Sequence, residues 1–172
     1  QYRYNFNSIV NDKLADDSIV GERILIMGKI FDVAGNSVHD AMIELWQADS
    51  NGKYRATPIE KKNDGFTGLG RLGTGTEADH SYSFTTIKPA AQNGQAPHVN
   101  VSLFMRGSLQ RLVTRIYFSD ETNDTDLLFQ NIEPSRQATL IATKEVINGK
   151  AVYVFNIHLQ GEKETVFFYF FN

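Results

Sequence analysis

The chemically most suggestive pair in this chain is His98 and Asn100, which follow Ala96-Pro97 and are separated by one residue. In a β-strand, alternate side chains point to the same face, so this spacing places the two side chains together. Two histidines at this spacing would supply half of a metal site. Here the second position is a carboxamide, which is a poor ligand for a redox-active iron. The pattern is therefore typical of a metal-site scaffold that has lost part of its donor set.

The segments around this pair predict an all-β fold, a β-sandwich core with long loops and one short helix. Apolar alternation and apolar runs predict strands over residues 22–31, 41–47, 80–87, 99–104, 113–118, 139–146, 151–159 and 165–171. Asn148-Gly149 predicts a type I′ hairpin turn, because both turn positions need positive φ. A helix is predicted over 124–132, with Asp124 or Thr125 as its N-cap. The segment from Thr57 to Asp79 lacks periodicity and is predicted to be a long functional or interface loop.

The final apolar stretch, Val166 to Phe171, leaves two interpretations open. It is either a central core strand or a strand that packs against a partner subunit, because such a patch is too large to leave exposed on a monomer.

Length and composition limit the possible functions. The 172 residues fit one domain, which we divide into an N-terminal arm over residues 1–20 and a sandwich domain over residues 21–172. The net charge of −3 and the lack of any Lys/Arg run longer than two residues argue against a nucleic-acid partner. The chain has no cysteine, which suits a reducing cytoplasm, and no apolar run long enough to predict a transmembrane helix.

Several segments occur together in an order that resembles a known family. Glu44–Ala48 reads glutamate-aliphatic-Trp-Gln-Ala and precedes a Gly-x-Tyr motif at Gly52–Tyr54. Further matching segments lie at 21–24, 86–89, 96–98 and 160–168. Together they resemble the intradiol ring-cleaving dioxygenases, and the Gln-Gly-Glu-x-Glu-Thr-Val-Phe-Phe ending is similar to the α-type rather than the β-type chains. The resemblance implies a β-sandwich, a cytoplasmic α/β hetero-oligomer, and cleavage of 3,4-dihydroxybenzoate (protocatechuate) by O₂.

The resemblance also implies where a metal site would have been. The family holds a non-haem ferric iron with two tyrosines and two histidines. These positions fall on Tyr54, at or near Gln92, on His98 and on Asn100, so two of the four ligand types remain. We therefore expect that the β subunit, not this chain, holds the ferric iron. Tyr54 is then expected to be a packed aromatic with a hydrogen-bonded hydroxyl, and His98 a buried neutral histidine.

Arg106 is the residue expected to take part in substrate binding. It follows the strand of His98 at the turn of Gly107, and the resembling α-type chains carry an arginine at this Arg-Gly position. By resemblance, its guanidinium completes the β-subunit pocket and binds the substrate carboxylate. The competing interpretation is a surface arginine in a salt bridge.

Two other functions remain open at the level of sequence. The chain could be a self-sufficient intradiol dioxygenase in which Tyr82 or another side chain joins Tyr54 and His98. It could also be a transthyretin-like sandwich that binds or assembles without catalysis. His39, His80 and His158 each stand alone in the sequence and are not predicted to be ligands. The pair Asp120-Glu121 is predicted to be a solvated turn rather than an acid/base pair.

Overall fold

The computed structural model describes residues 11–55 and 65–169, and the prediction of an all-β sandwich is confirmed. Within these ranges the strands are β1 (Arg23–Gly28), β2 (Ile30–Phe31), β3 (Ala41–Gln47), β4 (Leu69–Gly73), β5 (Tyr82–Ile87), β6 (His98–Met105), β7 (Leu112–Phe118), β8 (Ile141–Ile147), β9 (Lys150–Val154) and β10 (Ile157–His158). Two short helices, α1 (Leu127–Gln130) and α2 (Pro134–Gln137), and a 3₁₀ turn (Ala138–Leu140) connect β7 to β8.

Eight strands form one continuous sheet in the order β4-β3-β6-β7-β8-β9-β1-β5, and β10 pairs with β2 separately. Within the sheet, the halves β4-β3-β6-β7 and β8-β9-β1-β5 are joined by a parallel pairing of two residues each from β7 and β8. One core cluster contains buried side chains from both halves, so the halves face each other across it.

Alternation along the strands explains which side chains enter that core. In β3 the buried residues Ala41, Ile43 and Leu45 alternate with more exposed ones, and β6 buries Val99, Val101 and Leu103 in the same way. The intervening side chains lie on the outer face of the β4-β3-β6-β7 half, and this face carries His98, Asn100 and their neighbours.

Residues 11–15 bridge the free edges of β4 and β5. Asn11 exchanges backbone hydrogen bonds with Arg71 of β4, and the backbone of Leu14 bonds to Thr85 of β5. Leu14 is fully buried in the core. The division into an arm over 1–20 and a domain over 21–172 stays a prediction, although the described part of the arm packs into the sandwich.

Some predicted elements differ from the observed ones. The prediction of a loop from Thr57 to Asp79 is wrong over Leu69–Gly73, which forms β4 and pairs with β3. Residues 57–64 of this segment lie outside the described residues. The predicted helix is shorter than 124–132 and starts after a different cap, Asp126, whose carboxylate accepts from the N–H groups of Leu128 and Phe129. The short helix α2 was not predicted, although Pro134 at its first turn is a start signal.

The predicted hairpin is confirmed, because Asn148 and Gly149 have φ of 51° and 76° between β8 and β9. The predicted last strand is wrong over residues 165–169, which lie against β7 without forming a strand. There the Thr114 hydroxyl donates to the Val166 carbonyl at 2.7 Å. Tyr169 is 76% exposed, so the described part is no central core strand. Contact with a partner subunit stays a prediction, and residues 170–171 lie outside the described range.

Candidate functional site

A chain of hydrogen bonds connects the three predicted positions Asn100, Tyr54 and His98. The Asn100 amide donates to the Tyr54 hydroxyl at 2.8 Å and to the Trp46 carbonyl at 3.2 Å. The Tyr54 hydroxyl lies 3.4 Å from Nε2 of His98. The prediction that His98 and Asn100 share one strand face is therefore confirmed, and the structure adds that Tyr54 spans the two.

The carbonyl that ends this series of hydrogen bonds determines where its protons lie. Nδ1 of His98 lies 2.7 Å from the Ala96 carbonyl, which can only accept, so Nδ1 carries the proton. Nε2 is then the acceptor for the Tyr54 hydroxyl. Burial and the nearby positive charge of Arg115 both lower the pKa of His98 below its usual value of 6.5. His98 is therefore buried with both ring nitrogens in hydrogen bonds, as predicted, and its lowered pKa favours the neutral form.

Tyr54 is positioned by the turn that follows β3. The Asp49 carboxylate accepts from the N–H groups of Asn51 and Lys53 at 2.9 Å each, which closes the turn. Gly52 sits at φ 78° with an ideal Cβ position only 3.0 Å from the Ala91 carbonyl, so a larger residue would push the turn away. The Tyr54 ring packs edge-to-face with Trp46 at a centroid distance of 5.5 Å. The interpretation of Tyr54 as a packed, hydrogen-bonded aromatic is confirmed.

Gln92 does not join this group. It lies half-buried in a tight turn whose backbone pairs Gln92 with Gln95 around Asn93 and Gly94, both at positive φ. Within the described residues its side chain makes no hydrogen bond. Gln95 is the residue of this turn that is linked to the site, because its side-chain oxygen accepts from Arg115 at 3.2 Å.

Arg115 is the site residue that the sequence analysis missed. It lies on β7 directly opposite Asn100 of β6, so its side chain shares the outer face with His98 and Asn100. Its Nη1 donates to Gln95 and, at 3.4 Å, to the Tyr117 hydroxyl. Burial raises the pKa of Tyr117 to about 12, so this phenol is protonated at neutral pH. Period-two alternation along β7 could have placed Arg115 on this face, but only the strand register sets it beside Asn100.

The residues at this site do not fit a ferric ion. Tyr54 and His98 are the two protein donors, the lone pair of Nε2 accepts the tyrosine proton, and the tyrosine oxygen already accepts from Asn100. A guanidinium beside them disfavours a trivalent cation. Across residues 11–55 and 65–169, no group of three or more His, Cys, Asp or Glu side chains could hold a metal. We therefore derive no chemical step through a metal bound to this chain.

Arg106 lies far from this group. It follows the last residue of β6, eight positions after His98, which corresponds to about 26 Å along the strand. The side chain is exposed, and among the described residues it has no hydrogen-bond or ion-pair partner. The salt bridge of the competing interpretation is therefore absent from the described part of the chain.

Tyr82 also lies elsewhere. It is 1% exposed on β5, its hydroxyl donates to the Phe155 carbonyl, and burial raises its pKa. It cannot complete a ligand set with Tyr54 and His98 without breaking the core, so a self-sufficient enzyme would need another side chain as its further ligand.

The pair Asp120-Glu121 lies in a turn, as predicted, with Asp120 exposed and Glu121 half-buried, and the structure adds a lysine partner for both carboxylates. The Lys88 ammonium lies 3.0 Å from the Asp120 carboxylate and 2.7 Å from that of Glu121. The Tyr153 hydroxyl also donates to Asp120, at 3.0 Å. These bonds join the start of the loop that leads to His98 with the turn after β7.

The remaining histidines are not equally isolated. The rings of His39 and His80 lie 5.5 Å apart, although the sequence separates them by 41 positions, and the Ser37 hydroxyl lies 2.8 Å from Nδ1 of His80. His158 stacks on Phe31 at 5.1 Å.

In the described part of the chain, no helix is long and apolar enough to cross a membrane.

Comparison with known proteins identifies relatives over nearly the whole chain. A family model described as "Dioxygenase" matches residues 6–161. The chain is 40% identical over 172 residues to the protocatechuate 3,4-dioxygenase alpha chain of Burkholderia cepacia, covering 98% of this chain and 87% of that relative. It is 34% identical over 167 residues to the corresponding beta chain of Burkholderia cepacia, covering 85% and 68%.

Among solved structures, the dioxygenase domain of a dioxygenase carbohydrate-binding protein fusion from Streptomyces sp. SirexAA-E matches with a TM-score of 0.71 and 24% identity. The match covers 96% of this chain and 97% of that structure, which shows that the two share a fold.

Proposed function

This chain belongs to the intradiol dioxygenase family, and we propose that it is the α subunit of a protocatechuate 3,4-dioxygenase. The proposal rests on the arrangement of four residues that lie together where the family has its metal site but include too few metal ligands. These residues are Tyr54, His98, Asn100 and Arg115. The higher identity to an alpha chain than to a beta chain of the same organism supports the same assignment.

The proposed holoenzyme combines this chain with a protocatechuate 3,4-dioxygenase β subunit. Its substrates are 3,4-dihydroxybenzoate and O₂. The bond between the two hydroxyl-bearing ring carbons breaks, and each of these carbons receives one oxygen atom of O₂, which gives 3-carboxy-cis,cis-muconate. The family uses non-haem iron, and we assign that ferric iron to the β subunit, because the donor set of this chain does not fit it. A cytoplasmic location stays a prediction from the family resemblance.

Within the complex, Arg106 is the residue that we assign to the substrate. It is exposed, has no partner in the described part of the chain, and lies at the opposite end of β6 from His98. It is therefore available to a neighbouring subunit rather than to its own Tyr54 group. A guanidinium can bind the substrate carboxylate through two parallel hydrogen bonds and so orient the ring in the partner's pocket.

Co-expression with a β subunit tests the proposal. We expect iron and ring cleavage only when both chains are present, in a complex whose native mass contains both. The chain purified by itself should lack stoichiometric iron and a tyrosinate-to-ferric absorption band. A Tyr54→Phe variant is the matched control, because it removes a retained ligand type without disturbing the fold: the iron content of its complex should equal that of the wild type. Stoichiometric iron and turnover in the isolated chain, lost in Tyr54→Phe, would instead establish a self-sufficient enzyme.

A further inference from the structure

Arg115 is a partly buried cation without a compensating anion. Within residues 11–55 and 65–169 it forms no ion pair, and both of its hydrogen bonds use Nη1. Its Nε is buried and has no acceptor. Burying a charged donor without a partner is unfavourable, so an anion that reaches this guanidinium would gain free energy.

A cavity of about 480 Å³ adjoins this guanidinium. Its lining combines Arg115 with the amides of Asn93 and Gln95 and with the apolar side chains of Leu127 and Leu128. The volume lies in the range of small-molecule sites, and the mixture of two charged residues, Arg115 and Asp126, with a few polar groups and an apolar wall is typical of such sites.

We propose that this cavity binds a small carboxylate with an apolar or aromatic body, with the carboxylate on Arg115 and the body against Leu127 and Leu128. Among the described residues Nη2 has no hydrogen-bond partner and, unlike Nε, is not buried, so it is the guanidinium donor that a carboxylate in the cavity can reach. The site is separate from Arg106 and does not depend on the proposed activity, although the ligand class includes aromatic acids such as 3,4-dihydroxybenzoate.

The one acidic side chain in the cavity wall, Asp126, does not oppose this assignment. It is fully buried, and its two oxygens accept from the backbone N–H groups of Ala96, Leu128 and Phe129 at 2.9–3.1 Å. Its charge is therefore held by three donors of the protein backbone. In the described part of the chain Asp126 forms no ion pair with Arg115, so the guanidinium remains the cationic group that an anion in the cavity can contact.

Calorimetric titration of the full chain with benzoate at low salt tests the proposal. We expect saturable binding of one benzoate per chain, and no saturable binding of benzamide, which has the same shape without the charge. Arg115→Gln should weaken benzoate binding about ten- to a hundredfold, as expected for loss of a charge-assisted pair. Arg111→Gln is the matched control, because Arg111 is an exposed arginine just before the same strand, and its variant should bind as the wild type does.

A second pair of variants keeps the test informative if Arg115→Gln does not fold. Leu127 is 71% exposed, so it tolerates polar replacement. Leu127→Glu places a like charge beside the ligand and should abolish most benzoate binding, whereas Leu127→Gln should weaken it only severalfold. Equal binding of benzoate and benzamide would overturn the proposal, as would equal losses in Arg115→Gln and Arg111→Gln or in the two Leu127 variants.

Discussion

Lys88→Met should destabilise the chain at the base of the loop that leads to His98. The Lys88 side chain is only 9% exposed, and its ammonium lies between the carboxylates of Asp120 and Glu121. It also lies 5.5 Å and 5.6 Å from the ring centroids of Phe118 and Tyr153. Burial alone would lower the pKa of Lys88, but the hydrogen bonds to Glu121 and Asp120 outweigh it and raise this pKa. Lys88 is therefore charged throughout the physiological range.

The size of the effect follows from the exposure of the partners. Removing one partner of a fully buried ion pair costs about 3–5 kcal/mol, whereas exposed pairs contribute about 0–1 kcal/mol. The Asp120 and Glu121 side chains are 30% and 32% exposed, so water screens part of the interaction. Methionine keeps the apolar stem against the two aromatic rings. We therefore expect a loss of about 2 kcal/mol in the free energy of unfolding and a fall in Tm of about 4–8 °C.

Thermal unfolding at neutral pH measures this loss, with Lys144→Met as the matched control. Lys144 bonds to the same Asp120 carboxylate at 3.1 Å, but its side chain is 33% exposed and touches no second carboxylate as closely. Its replacement should lower Tm clearly less than Lys88→Met does, because water screens an exposed pair. If the two variants unfold at the same temperature, burial of Lys88 does not strengthen the pair, and the reasoning is refuted.

The same network predicts how stability depends on pH. Burial alone would raise the pKa of Asp120, but hydrogen bonds from Lys88, Lys144 and Tyr153 outweigh it and lower the pKa to about 2, from a usual 3.8. Because the folded-state pKa is lowered, the contribution is fully present above about pH 4 and is lost as the pH falls towards about 2. Unfolding free energies measured between pH 5 and pH 2 should fall less steeply for Lys88→Met than for the wild type. Parallel curves would argue against this origin.

Three further outcomes are expected. In the complex with a β subunit, Arg106→Ala should reduce kcat/KM for 3,4-dihydroxybenzoate about ten- to a hundredfold. The kcat/KM for catechol, which lacks the carboxylate, should change little. Arg111→Ala is the control and should leave both values unchanged. Unchanged kinetics would remove Arg106 from the pocket. Asp126→Ala should cost about 2–3 kcal/mol in urea unfolding, because it leaves two buried N–H groups and one partly buried N–H group without an acceptor. A cost below about 1 kcal/mol would contradict this. The Asn100→His variant should bind Co²⁺ weakly in an absorption titration. Adding Arg115→Gln to this variant should strengthen Co²⁺ binding about tenfold or more, because it removes a nearby positive charge. Equal Co²⁺ affinities of the two variants would show that the guanidinium does not oppose the cation.

Much of the candidate site could be predicted from local sequence. His98 and Asn100 share a face because side chains alternate along any strand, whichever strands lie next to it. Tyr54 was identified by its motif, and the structure brings it to both residues. Gln92 was placed by counting along a loop, and loops have no period that fixes the direction of a side chain; Gln95 is linked to the site instead.

Contacts between distant segments could not be predicted in this way. Arg115 meets the site because of the register of β6 and β7, and a register shift of one residue would turn its side chain to the other face. Lys88 reaches Asp120 across 32 positions of sequence, and neither residue type indicates its partner. The glycine-rich β4 lacks the apolar alternation of a strand, and its pairing with β3 is what orders it.

The sequence by itself determined the class of fold and the shortage of metal donors, because alternation, turn residues and the identity of each side chain are local properties. Only the tertiary structure decided what replaces the missing donors. Strand pairing places a guanidinium beside an imidazole and a phenol, and burial together with this positive charge lowers the pKa of the imidazole. Charge and desolvation depend on which groups lie close in space, and that proximity is set by the whole fold.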